Sequence, residues 1–128
     1  VGVIFNMEEL NKKVILVGNC DYDGPQIKSF IENNFNADVE DIKTMDGGIA
    51  KLDNVDLVLV NRVGRDQRNG LELIDYIKNK NVLIPVMLIT NYKDKMDEAM
   101  EHGAVEGFGK EDLFNDSERV KQVLSEYL

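Results

Sequence analysis

The chain has 128 residues, 43% of them hydrophobic and 30% charged, a balance that supports one packed domain rather than a disordered tract. Fifteen basic residues against 24 acidic ones give a net charge of −9. That charge argues against wrapping a nucleic-acid backbone or lying on an anionic membrane, both of which need clustered cations. A single cysteine, Cys20, excludes an internal disulfide and any paired-cysteine metal site, and a reducing, cytoplasmic setting is the natural expectation. The longest apolar runs are far too short to span a bilayer. The chain opens on Val1 with no basic-then-apolar leader, so it reads as a fragment or a trimmed product.

Residues 1–12 are mixed in character and are expected to form a lead-in or linker, with one domain over residues 13–128. Val14 to Val17 is an apolar run of the kind buried on both faces of a sheet. Asp23, Gly24 and Pro25 mark a turn with proline in a first helical turn, and Ile27, Phe30, Ile31 and Phe35 follow at helical spacing. Ala37 to Met45 is weakly extended, and a short helix is expected around Ile49 to Leu52. Leu57 to Val60 is the next strand, followed by a polar loop to Asn69 and Gly70. Leu71, Leu73, Ile74 and Ile77 then form a helix face. Pro85 to Ile89 reads as another strand. Met96, Ala99 and Met100 share the apolar side of a helix that Gly103 closes in the left-handed conformation. Val105 to Phe108 reads as a last strand, and Asn115 or Asp116 caps a last helix.

Short apolar runs alternating with helices imply a parallel sheet covered on both faces, with its site at the carboxyl ends of the strands. The expected architecture is α/β, a flavodoxin-like (βα)5 doubly wound parallel sheet of strand order 2-1-3-4-5.

The stretches VDLVLVN (Val55–Asn61), NGLELIDYIK (Asn69–Lys78), IPVMLIT (Ile84–Thr90) and EHGAVEGFGK (Glu101–Lys110) resemble, in order and spacing, the receiver domains of two-component response regulators. The resemblance covers residues 13–128. It implies an acidic pair that helps hold Mg²⁺, an aspartate that accepts a phosphoryl group from a histidine kinase, a Thr or Ser and a Lys that contact this group, and a rotamer-switching aromatic. Thr90 and Lys110 match that pattern. The acceptor position falls on Asn61, the acidic pair on Gly18 and Asn19 (or on Asn19 and Cys20 if the alignment slips by one), and the aromatic on Gly107. Glu111 replaces the proline that follows the lysine, and the loop after Asn61 reaches Gly70 one residue late. An amide has no ionised form to act as nucleophile, and Mg²⁺ favours charged oxygen ligands. The resemblance therefore implies a degenerate pseudo-receiver, with no metal, no cofactor and no catalytic residue expected.

The favoured function is a non-phosphorylatable signalling module that works by protein–protein interaction in a two-component or phosphorelay setting. Its expected face comprises Tyr92, Lys93, Met96, Asp97, Phe108 and Glu111, and a homodimer is compatible with it. No nucleic-acid or membrane partner is expected. The alternative is a divergent working receiver using Asp21, Asp23 or Asp66, although each reads most simply as a turn residue in water. A third class, nucleotide or flavin binding, is disfavoured by the aspartates in the loop after the first strand. Lys110 is expected to bond Asn61 or a strand-end carbonyl, and Cys20 to be a small buried residue. Arg62, Arg65 and Arg68 read as a solvated loop, and His102 as a partner of a helix C-terminus.

Overall fold

The computed structural model describes residues 11–80 and 83–128. Residues 1–10 of the expected lead-in lie outside the described residues. Asn11 and Lys12 already belong to the fold: Asn11 Nδ2 donates to Asp38 Oδ1 at 3.3 Å, and Lys12 opens the first strand.

The sheet is parallel, in the order β2-β1-β3-β4, with β1 at Lys12–Val17, β2 at Ala37–Ile42, β3 at Leu57–Asn61 and β4 at Val86–Ile89. Register pairs Val17 with Ile42 on one side and with Val60 on the other, and Asn61 with Ile89. The carboxyl ends of the strands therefore finish together, and the loops that leave them share one edge.

Six helices flank the sheet among the described residues: α1 (Asp23–Asn34), α2 (Met45–Ala50), α3 (Gly70–Lys80), α4 (Lys93–Glu101), α5 (Asp112–Asn115) and α6 (Ser117–Ser125). Strand side chains alternate between two cores, as the two-residue period requires. Val14, Leu16, Leu57, Leu59 and Met87 pack with Ile27 and Ile31 of α1 and with Val120 and Leu124 of α6. Ile15, Val17, Val58, Val60 and Leu88 pack with Leu73, Ile74 and Ile77 of α3 and Ala99 of α4. Each fully buried Leu or Ile contributes about 1.5–3 kcal/mol of transfer energy.

The caps follow the local chemistry. Asp116 Oδ1 accepts from Arg119 N at the start of α6, and Asn69 Oδ1 accepts from Leu71 N at the start of α3. Gly103, at φ +105°, turns the chain out of α4 as expected. The short helix expected around Ile49 to Leu52 forms earlier, at Met45–Ala50. Thr44 Oγ1 caps it by accepting from Gly47 N, and Asp66, brought from a distant loop, accepts from Met45 N at 3.0 Å. Helix α5 was not expected from the sequence.

The segment expected as a fifth strand runs beside β4 without forming a regular ladder. Val105 bridges Met87, and backbone bonds join Val105 N to Val86 O and Thr90 N to Phe108 O. Between them the Gly107 N–H donates to Met96 Sδ of α4 at 3.4 Å, which takes the middle rung out of the ladder.

Candidate functional site

The loops at the carboxyl edge bring Asn61, Thr90 and Lys110 around one cavity of about 240 Å³, which Arg62, Asn91 and Tyr92 also line. Asn61 ends β3. Its side-chain N–H groups donate to Gly18 O at 3.1 Å and to Val63 O at 3.0 Å, so the amide ties the loop after β1 to the loop after β3. That binding mode needs a donor. A carboxylate in the same place would face two carbonyl oxygens.

Gly18 sits at φ +82°, and an added Cβ would come within 3.1 Å of Gly64 Cα and Met45 Cε. A side chain at this position is strained, and its neighbours would have to give way by a few tenths of an ångström. Asn19 is fully buried, and neither its amide nitrogen nor its oxygen has a hydrogen-bond partner. Leaving such a group unsatisfied costs about 1–3 kcal/mol. Gly107 is buried with its Cα against β4: an added Cβ would lie 2.6 Å from Leu88 O. An aromatic residue cannot occupy that position without moving the segment off the sheet.

Lys110 does not bond Asn61 or a strand-end carbonyl. Its Nζ lies 2.7 Å from Oδ2 of Asp23, at the start of α1, with both side chains about three-quarters covered. Asp23 is therefore a half-buried partner of Lys110 rather than a turn residue in water, because a partly buried ammonium needs a counter-charge and this carboxylate is within reach. Burial pushes the Asp23 carboxyl up, but hydrogen bonds from Lys110 and Cys20 and the Lys110 charge outweigh it and hold it below the usual carboxylate range. The Cys20 thiol donates to Asp23 Oδ2 at 3.1 Å, and Asp23 N–H donates to Cys20 Sγ at 3.3 Å. This loop position leaves Cys20 exposed, not buried as expected.

Asp21 also has a partner. Its carboxylate lies 2.5 Å from Arg65 and 3.5 Å from Lys43, and the Arg65 hydrogen bond and charge are the main forces lowering its pKa. Asp66 is committed to α2, as described above. Arg68 pairs with Asp46 and with Glu72, so two of the three loop arginines are in ion pairs rather than merely solvated. This loop turns at Gln67, with φ +62°, and is closed by Gly64 N donating to Arg68 O.

Lys43, which the sequence did not single out, is a hub. Its ammonium donates to Asn19 O and Cys20 O, each at 3.2 Å, and to Asp41 Oδ2 at 2.8 Å, with Asp21 at 3.5 Å. Only the fold brings these four oxygens together. Asn91 is a second omission: its Oδ1 accepts from Glu111 N at 3.1 Å and so joins the loops after β4 and after Phe108.

The residues present do not fit a Mg²⁺ site of the kind the resemblance implies. Gly18, Asn19 and Asn61 supply no charge, the nearby aspartates are paired to cations, and no three His, Cys, Asp or Glu side chains converge as ligands among the described residues.

Of the expected interaction face, Tyr92 is 64% exposed, Lys93 and Asp97 form an exposed pair at 2.8 Å, and Glu111 is exposed. Met96 is half-buried and holds Gly107. Phe108 is fully buried in the core, so it cannot belong to the face: its side chain points to the α1–α6 side of the sheet. Met100, expected to face the core with Met96, is 44% exposed. A cavity of about 390 Å³ beside α4 is lined by Tyr92, Met96, Met100 and Arg119 among others. His102 caps α4, and its Nδ1 lies 2.8 Å from Oδ1 of Asp75 on α3. The Asp75 hydrogen bond and charge raise its pKa. No helix among the described residues is long and apolar enough to cross a membrane.

No protein-family model matches the sequence, and no curated protein matches it either. Solved structures do match. The non-phosphorylated HemR receiver domain from Leptospira biflexa superposes with a TM-score of 0.73 at 24% identity, covering 90% of this chain and 95% of that one. A response regulator from Thermotoga maritima gives 0.72 at 23% identity, covering 90% and 98%. The receiver domain of the Francisella response regulator 1452 gives 0.72 at 17% identity, covering 91% and 97%. With its parallel sheet, the register of its strand ends and these superpositions taken together, the chain has the CheY-like fold of response-regulator receiver domains.

Proposed function

We propose that this chain is a receiver-like signalling module that acts through contact with a protein partner or an attached output domain and does not accept a phosphoryl group at the acceptor position. The observation that carries this reading is the commitment of the Asn61 amide to Gly18 O and Val63 O. The acceptor position is occupied by a structural tie, and it offers no nucleophilic oxygen anion. Phosphoryl transfer works by positioning and by charge stabilisation from metal and cations. Here Lys110 is held by Asp23, and neither Gly18 nor Asn19 supplies a carboxylate. The module is accordingly not an enzyme, and its state is set by what docks on it. Tyr92, Lys93, Asp97 and Glu111, with Met96 at the edge, supply the exposed part of the docking face. The likeness to response-regulator receiver domains supports a two-component or phosphorelay context, and a thiol outside any disulfide at Cys20 suits a reducing cytoplasm.

One observation favours a second reading. Asp23 is a partly covered carboxylate 2.7 Å from Lys110, and a divergent receiver could use it as acceptor. Incubation with acetyl phosphate and Mg²⁺, followed by intact-mass measurement and peptide mapping, separates the two. The expected result is no added phosphoryl mass. A phosphoryl group mapped to Asp23 establishes the second reading instead.

A further inference from the structure

A groove bounded by α3, α4 and the loop after β3 encloses about 230 Å³. Val63, Leu71 and Leu88 form its apolar floor. Leu88 is fully buried, but Val63 is 40% exposed and Leu71 half-buried, so the floor is open to an incoming side chain. Two cations and one carboxylate stand around it, Arg62 and Lys95 against Glu98. The lining is thus net positive in a chain of net charge −9. Arg65 and Arg68 of the same loop each meet an acidic side chain, whereas Arg62 and Lys95 form no ion pair among the described residues. Lys95 is half-buried, its stem covering apolar surface while its ammonium lacks a counter-charge. The loop that carries Arg62 and Val63 is already fixed. The Asn61 amide donates to Val63 O at 3.0 Å, Gly70 N donates to Arg62 O at 2.7 Å, and Val63 bridges Asn69. A surface held in this way pays little ordering cost when something docks on it.

We infer that this groove docks an acidic, apolar segment of a protein partner. An aliphatic side chain of that segment covers Val63 and Leu71, and its carboxylates meet Arg62 and Lys95. At physiological salt, screening leaves these local cations, rather than the net charge of the chain, to decide what docks. Opposite charge around an apolar centre fixes the orientation of the segment and rejects a basic one. A nucleic-acid backbone needs a longer track of cations than these two supply. A small free anion gains nothing from the apolar floor. The inference extends the reading of a partner-driven module, and its groove shares no residue with the face at Tyr92, Lys93, Asp97 and Glu111.

The test is selection of peptides from a random library displayed on phage against the full chain, followed by titration of the recovered peptides with amide NMR. Recovered sequences are expected to place Asp or Glu beside Leu, Ile or Phe, and to shift Val63, Leu71 and Lys95 saturably. Arg62→Ala weakens them about ten-fold through loss of a charged hydrogen bond. Its melting curve matches that of the parent chain, since the Arg62 side chain is in no ion pair. Lys28→Ala removes an equal charge from α1, which packs on the opposite core, and leaves peptide affinity unchanged. Recovery of no binder, basic sequences, shifts confined to other residues, or equal affinity for the parent chain and Arg62→Ala overturns the inference. Self-association through Val63 and Leu71 without any peptide overturns the choice of occupant. Failure here leaves the acetyl phosphate result standing, because phosphoryl uptake does not depend on this groove. A phosphoryl adduct there leaves the peptide titration to be judged on its own shifts.

Discussion

The proposed silence of the acceptor position is tested first at Asn61. Its amide makes two donated bonds that hold adjacent loops, and Asn61→Asp replaces both donors with oxygen facing oxygen. The expected cost is about 1–3 kcal/mol, read from urea unfolding, with no phosphoryl uptake from acetyl phosphate by the variant. Gly18 has a backbone conformation that disfavours side chains, and Gly107 is pressed against Leu88 O. At Gly18 and Gly107 a larger residue would therefore need a shift of its surroundings as well as a change of side chain. The identities of these residues were legible in the sequence once the strands were placed. What they do was not: the Asn61 bonds, the Lys110–Asp23 pair and the Lys43 hub each join residues far apart in the chain, and no local pattern reports such a meeting.

At the scale of elements, the apolar runs of β1, β3 and β4 were readable because a strand buried on both faces is continuously hydrophobic. The weaker elements were harder. Helix α2 depends on an Asp66 carboxylate from a loop beyond β3, and the Val105–Phe108 segment loses its central rung to Met96. Both outcomes follow from tertiary partners that override local propensity. Helices α3 and α4 are coupled by His102 and Asp75, and this link carries a sign. The folded pKa of His102 is raised, so its contribution to stability is fully present below its unfolded value of about 6.5 and fades as pH rises through the folded value. The melting-temperature gap between the parent chain and His102→Gln is therefore expected to be wider near about pH 5.5 than near about pH 8.5. A gap that widens with rising pH would contradict the pairing. Both side chains are substantially exposed, so the effect should shrink as salt is added.

For the whole molecule, strand order, two-sided core and shared strand ends gather the loops along one edge. Lys43 sets the charge at that edge. Its ammonium, on a side chain leaving the end of β2, meets carbonyl oxygens of Asn19 and Cys20 and the carboxylates of Asp41 and Asp21. Melting curves are expected to coincide in magnesium and in chelator, while Lys43→Met lowers stability by about 2 kcal/mol in both. In effect the polypeptide carries a tethered counter-ion at the mouth of its first loop. A loop organised in that way is expected to keep its shape whatever the magnesium concentration, and a surface beside it would be ready as soon as the chain has folded.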